Sequence, residues 1–351
     1  MRRVFTVALV ALVGVLPAAS VLAVDPLTAV YETRGDLQTV FDETGVPTGP
    51  ASGFLMNLED WARQYGWQEY PELSAYAPSV KPPSLSISHN LSPSPSLTSP
   101  RYIVIDTASG AILAAEHAED VWPIASITKL MTTSVAIDEG LDVGGTGTVK
   151  TADEVGGARL GVTDGTKFTV RDLLAATLVG SANNAANAVA RLCGLTKTDF
   201  VTHMNARATA LGLTHTTFAD PTGIELENVS NAREVAHFAA DAFAKENIKK
   251  LSGSSRTSIA ALNDDAYVRD IKNTNWMLYY PAYDDLYVTA GKTGFLNESG
   301  WNVVVQLHPM SDDDTSRSLT IVALGAAGRR ESFDDAAALA RWAWGSFEWN
   351  K

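Results

Sequence analysis

The chain has 351 residues, 46% of them hydrophobic, enough to bury a large core in one sizeable domain or two modest ones. Its formal net charge is −13, and such a surface repels phosphate backbones and anionic lipid, which sets nucleic acid aside as a partner. The single cysteine, Cys193, excludes an internal disulfide, and the six histidines show no close pair of the kind that binds a metal.

Arg2 and Arg3 precede an apolar run over 4–16, then Pro17 and small residues up to Ala23, the pattern of a secretory signal peptide spanning 1–23. The stretch 4–23 also just reaches the roughly 20 residues that cross a bilayer, so an uncleaved anchor stays open, and membrane contact is expected only in that case. Either way the remainder is expected outside the cytoplasm, in the periplasm or the extracytoplasmic wall space. Residues 24–76 are aromatic and acidic, with a helix expected over 54–65 and no catalytic pattern. Residues 77–100 are rich in Pro and Ser and read as a semi-extended linker, because they lack the apolar content for a core. The main domain is expected over 101–351.

That domain opens with strands at 101–106 and 111–116 about the turn Thr107-Ala-Ser-Gly110. Pro123 suits the first turn of a helix whose buried face is Ile127, Leu130, Met131 and Val135, and which Gly140 can end. Helices follow at 170–179 and 184–193, interrupted at Gly180-Ser181. Strands are expected at 286–289, 301–306 and 318–324, and a closing helix over 333–344. Cys193, at the end of an apolar helix, reads as a buried structural thiol.

Three short motifs lie on this scaffold in a fixed order: Ser126-Ile-Thr-Lys129, Ser181-Ala-Asn183 and Lys292-Thr293-Gly294. Each is weak alone, since a Ser and a Lys three apart arise by chance about once in a chain this long. Ser88-His-Asn90 also fits the second pattern, but it falls inside the Pro/Ser run, upstream of Ser126. Residues three apart on a helix share a face, so Ser126 and Lys129 bring a hydroxyl and an amine within reach, a nucleophile with its base. Lysine is ordinarily protonated near pH 7; burial and a neighbouring cation, which Lys292 could supply, favour the neutral form. Ser181 and Asn183 fall in a helix-to-helix connection and Lys292 at or near a strand start. Taken singly, these are a solvated lysine and ordinary capping residues.

The stretch Pro123-Ile-Ala-Ser-Ile-Thr-Lys-Leu-Met-Thr132, with Ser181-Ala-Asn183 and Gly291-Lys-Thr-Gly-Phe295, resembles the low-molecular-mass penicillin-binding proteins of the D-alanyl-D-alanine carboxypeptidase family. The likeness continues at 105–110, 204–208, 218–223, 230–234 and 322–325, and covers roughly residues 101–348. It implies an α+β fold of the DD-peptidase/β-lactamase kind: an antiparallel sheet flanked by helices, with a mainly helical subdomain that carries Ser181 and the active site between them.

The same resemblance implies roles. Ser126 would attack the carbonyl of the penultimate D-alanine while Lys129 takes its proton, giving an acyl-enzyme that water hydrolyses. Ser181 would relay a proton to the leaving amine, and Asn183 would bond the substrate's amide backbone. Lys292 and Thr293 would bind the free carboxylate, and Gly294 would let the substrate approach. The backbone N–H groups of Ser126 and Phe295 would form the oxyanion hole. Arg329 or Arg330 could add a carboxylate contact.

No cofactor or metal is implied; the partners are peptidoglycan stem peptides, with β-lactams as covalent inhibitors. Asn184 stands where acidic residues are frequent in the family, a change in local support. The chain ends soon after the last expected helix, without room for the C-terminal β-domain of some relatives, so a soluble or N-terminally tethered form is expected. A DD-endopeptidase that cuts crosslinks uses the same residues and remains the alternative. A β-lactamase ranks lower, because Glu225-Leu-Glu-Asn228 lacks the spacing of a deacylating Glu-x-x-x-Asn loop. A silent wall-binding protein fits poorly with the complete residue set.

Overall fold

Five antiparallel strands form the central sheet of the computed structural model, which describes residues 80–85, 95–310 and 315–349 and two short paired strands, Val40–Phe41 and Pro47–Thr48. The expected leader at 1–23, the expected helix at 54–65 and the Ser88-His-Asn90 match lie outside the described residues.

In chain order, β1 (Arg101–Asp106) and β2 (Ile112–Glu116) form the expected hairpin. A 3-10 turn, Ala125–Ile127, leads into α1 (Thr128–Asp138). The paired strands β3 (Thr146–Val149) and β4 (Thr166–Thr169) precede α2 (Val170–Leu178), α3 (Asn183–Leu192) and α4 (Lys197–Ala210). Next come α5 (Ala232–Ala244), α6 (Glu246–Ser252) and the hairpin β5 (Arg256–Ala260) with β6 (Val268–Lys272). The chain returns to the sheet with β7 (Leu286–Leu296), β8 (Gly300–Pro309) and β9 (Leu319–Ala326), and closes with α7 (Arg329–Ser346). The sheet order is β7-β8-β9-β1-β2.

Alternation along the strands divides the interior in two, because successive side chains leave a sheet on opposite faces. Tyr102, Val104, Val303, Val305, Ile321 and Ala323 meet the α7 residues Phe333, Ala336, Leu339 and Ala340 on one face. Ile103, Ile105, Val304, Val322 and Leu324 join the larger core with α1, α2, α3 and α5 on the other. Both faces are buried, so these strands read as continuous apolar runs. Three helices start on side-chain caps: Thr169 accepts from Asp172 N, Thr196 from Asp199 N and Asn231 from Glu234 N.

Several boundaries differ from the sequence expectation. Pro123 is not in a helix: Trp122–Pro123 is extended and pairs with Val229–Ser230, and α1 begins only at Thr128. Lys292 lies in the middle of the 11-residue β7, because its flanking glycines continue the strand rather than end it. The closing helix starts at Arg329, and α4, α5, α6 and the β5–β6 hairpin had no expected counterpart. The described parts of the Pro/Ser run lie against the domain. Ser84–Leu85 pairs with Phe347–Glu348, and the Asp335 carboxylate accepts hydrogen bonds from both N–H and hydroxyl of Thr98 and Ser99.

Candidate active site

Ser126 owes its position to backbone geometry rather than to a helix. Ala125 adopts φ +50°, a left-handed conformation uncommon for a residue with a Cβ, and turns the chain so that Ser126 precedes α1 in a 3-10 turn. Two glycines close on this turn. A Cβ at Gly223 would lie 1.9 Å from Ala125 O, and one at Gly294 would lie 2.6 Å from Ile124 O and 3.2 Å from Ser126 N. Only a missing side chain lets the 220–223 loop and β7 approach so closely.

Lys129 sits in the first turn of α1 and is wholly buried. Its Nζ lies 2.7 Å from Ser126 Oγ, 2.7 Å from Asn183 Oδ1 and 2.6 Å from Thr222 O. Burial first, and then the charge of Lys292, push its pKa well below the ordinary lysine value; Asp220 pulls the other way. A neutral amine has two N–H groups and a lone pair. With Asn183 Oδ1 and Thr222 O as acceptors, the lone pair is left for the Ser126 hydroxyl proton.

Ser181 takes φ +58° at the break between α2 and α3, and is buried. Lys292, also buried, donates to Ser181 Oγ at 2.9 Å and to Thr293 O at 2.8 Å. Its pKa is lowered by burial to about 7. Asn183 is committed on both sides, accepting from Lys129 and donating from Nδ2 to Gly156 O at 2.8 Å, with one N–H left over. Asn184 holds the neighbouring loop, accepting from Leu160 N, and donating to Leu160 O and to the Glu154 carboxylate.

Ser126, Ser181 and Asn183 face a cavity of about 310 Å³ that Gly157, Ala158, Thr274, Thr293, Phe295, Trp301 and Arg329 also line, with Lys129 and Lys292 buried behind them. One end is polar: Thr293 Oγ1 donates to Thr274 Oγ1 at 2.7 Å, and Arg329 donates to Thr274 O at 3.1 Å. Arg329 is held over the Trp276 ring at 4.5 Å and the Trp301 ring at 5.5 Å. Phe295, 44% exposed, stacks on Trp301 at 4.2 Å.

Every residue singled out in the three motifs therefore converges on one cleft. The Arg329-Arg330 pair splits: Arg329 lines the cavity, while Arg330 is solvent-exposed and pairs with Asp334 at 3.4 Å. Sequence reasoning missed Thr274, which no pattern marks, and the task of Asp220. Burial tends to raise Asp220's pKa, but hydrogen bonds from Thr222, Glu225 and Asn228 outweigh it and hold the carboxylate ionised. That carboxylate shapes the loop that presents Thr222 O to Lys129.

The family model described as D-alanyl-D-alanine carboxypeptidase matches residues 88–327, more than half of the chain. The chain belongs to the D-alanyl-D-alanine carboxypeptidase family. Among relatives, it is 32% identical over 249 residues to a D-alanyl-D-alanine endopeptidase of Pseudomonas aeruginosa, covering 70% of this chain and 77% of that one. It is 29% identical over 208 residues to a D-alanyl-D-alanine carboxypeptidase of Bacillus subtilis, covering 56% of this chain and 51% of that one. Among solved structures, the D-alanyl-D-alanine carboxypeptidase of Mycobacterium tuberculosis superposes with a TM-score of 0.64 at 25% identity, covering 76% of this chain and 99% of that one. As a D-alanyl-D-alanine carboxypeptidase family member, the protein is a serine peptidase, a hydrolase of the cell wall, with the α+β fold expected of it. Among the described residues, no helix is long and apolar enough to cross a membrane.

Proposed function

We propose that the protein removes the terminal D-alanine from peptidoglycan stem peptides through an acyl-enzyme on Ser126. The observation that carries this reading is the buried Lys129 Nζ, 2.7 Å from Ser126 Oγ, with its proton affinity depressed. Lys129 accepts the Ser126 proton as Oγ attacks the penultimate D-alanine carbonyl. Backbone N–H groups of Ser126 and Phe295 receive the developing oxyanion. Ser181, whose Oγ accepts a hydrogen bond from Lys292, passes a proton to the departing amine of D-alanine, and water then releases the shortened peptide. Asn183 donates its remaining N–H to the substrate amide. Lys292, Thr293 and Arg329 bind the free carboxylate, while Gly294 leaves room for the substrate backbone. β-Lactams acylate the same serine. The leader at 1–23 carries the chain out of the cytoplasm, the segment at 77–100 joins the catalytic domain at 101–351, and any membrane contact is through an uncleaved N-terminus.

A second reading, cleavage of crosslinks as a DD-endopeptidase, is favoured by the Pseudomonas aeruginosa relative of that name. Mass spectrometry of a defined muropeptide mixture separates the two. Loss of one alanine from a pentapeptide marks the carboxypeptidase, and conversion of a dimer to monomers marks the endopeptidase. A preparation that leaves both intact refutes the proposal.

A further inference from the structure

A second cavity, of about 190 Å³, backs onto the segment that carries Ser181. Gly180 and Ala182 form one wall, and Arg159, Arg269 and Lys272 line it with a single acid, Asp270. The three cationic side chains are exposed. Across the hairpin, Arg256 stands in register opposite Lys272, and like charges at opposed positions weaken a strand pair. Elsewhere in this acidic chain, arginines find carboxylates, as in Arg101–Asp120, Arg191–Asp153, Arg207–Asp241 and Arg341–Asp285. Among the described residues, no carboxylate pairs with Arg159, Arg256, Arg269 or Lys272.

The position of this groove relative to the cleft defines what it can hold. Lys272 is two residues from Thr274, whose hydroxyl meets Thr293 and whose N–H donates to Val179 O. Ile271 packs so tightly on Gly180 that a Cβ there would lie 2.8 Å from Ile271 Cγ2. Arg269 ties the hairpin to the opposite wall by donating to Arg159 O at 3.4 Å. The groove thus adjoins the Thr274 end of the cleft: Gly157 and Ala158 line the cleft where Arg159 and Leu160 line the groove, and Ser181 and Asn183 alternate with Gly180 and Ala182.

We infer that Arg159, Arg269 and Lys272 form a leaving-side subsite for a carboxylate-bearing peptide, one that continues from the leaving D-residue as the second stem of a crosslink does. This rests on the second, crosslink-cleaving reading of the DD-peptidase above. A terminal D-alanine leaves nothing to fill the groove; a crosslinked leaving stem lays its carboxylates there.

The test compares the full-length chain with its Arg159→Gln/Lys272→Gln variant, which keeps Arg269 in place. The probes are a crosslinked muropeptide dimer with free leaving-side carboxylates, the same dimer amidated there, a monomeric pentapeptide and a fluorescent penicillin. Two exposed charge contacts correspond to about a ten-fold loss of kcat/KM on the free-carboxylate dimer, mainly in KM. The other three probes are expected to change by less than about two-fold. Equal loss on all four probes, undiminished cleavage of the free-carboxylate dimer, or a wild type that trims pentapeptide but spares dimers overturns the inference. A wild type that neither trims pentapeptide nor reacts with penicillin instead rejects the DD-peptidase reading beneath it.

Discussion

Lys129 is wholly enclosed and Lys292 nearly so, and each holds its proton less firmly for that reason, although the reaction asks opposite things of them. Lys129 must be neutral to accept the serine proton, and Lys292 must be charged to attract a carboxylate. Replacing Lys129 by Met is expected to slow acylation by about 10²–10⁴-fold, the scale of a positioned general base, measured as the second-order rate with a chromogenic β-lactam. The pH profile of kcat/KM should be bell-shaped. It rises as Lys129 loses its proton and falls as Lys292 loses its own near pH 7 in the free enzyme. Bound carboxylate raises the Lys292 pKa, so the alkaline limb of kcat is expected at higher pH than that of kcat/KM; coincident limbs would contradict this pairing.

The spacing of Ser126 and Lys129 was legible because three residues along any helical backbone bring side chains together. The left-handed Ala125 was not. Nothing in its own side chain asks for φ +50°, and the glycines that leave room for this turn, Gly223 and Gly294, are far away in sequence. Thr274 escaped notice for a similar reason, since its task depends on Thr293 and Arg329 arriving from other elements.

At the scale of elements, β7 and the 220–223 loop clamp the Ser126 turn through glycines. Adding one methyl group at Gly294 forces a backbone shift against Ile124 O. Gly294→Ala is expected to lose about 1–3 kcal/mol of stability, read by denaturant titration, and to slow acylation further than that loss alone explains. An acylation rate equal to wild type would show that the close approach is incidental. Strands of the sheet were legible as apolar runs, whereas α4 was not: only Phe200, Met204 and Ala208 are buried in its 14 residues, too sparse a stripe to stand out. Pro123 misled because a proline fits an extended start as well as a first helical turn, and its pairing with Val229 is invisible locally.

Across the whole molecule, the sheet carries a core on each face, and α7 closes one of them while supplying Arg329 to the cleft from its first turn. The same helix holds residues 98–99 through Asp335, so the segment just before β1 is fastened to α7. Asp335→Ala leaves these buried donors unmatched and is expected to cost about 1–3 kcal/mol, seen as a lower thermal midpoint with acylation at 25 °C unchanged. The two-sided architecture was legible as a whole only through the family resemblance that the motifs and their flanking segments carry, not from any one element. The groove beside Ser181 was not, because its charges come from the 159 loop and from β6.

The most direct test of the central claim, that Ser126 is a nucleophile served by Lys129, is labelling of the purified protein with a fluorescent penicillin followed by mass spectrometry of the peptide containing residue 126. Wild type is expected to carry the acyl adduct on Ser126, and Ser126→Ala to carry none. Undiminished labelling of Ser126→Ala, or an adduct on another residue of the wild type, would contradict it.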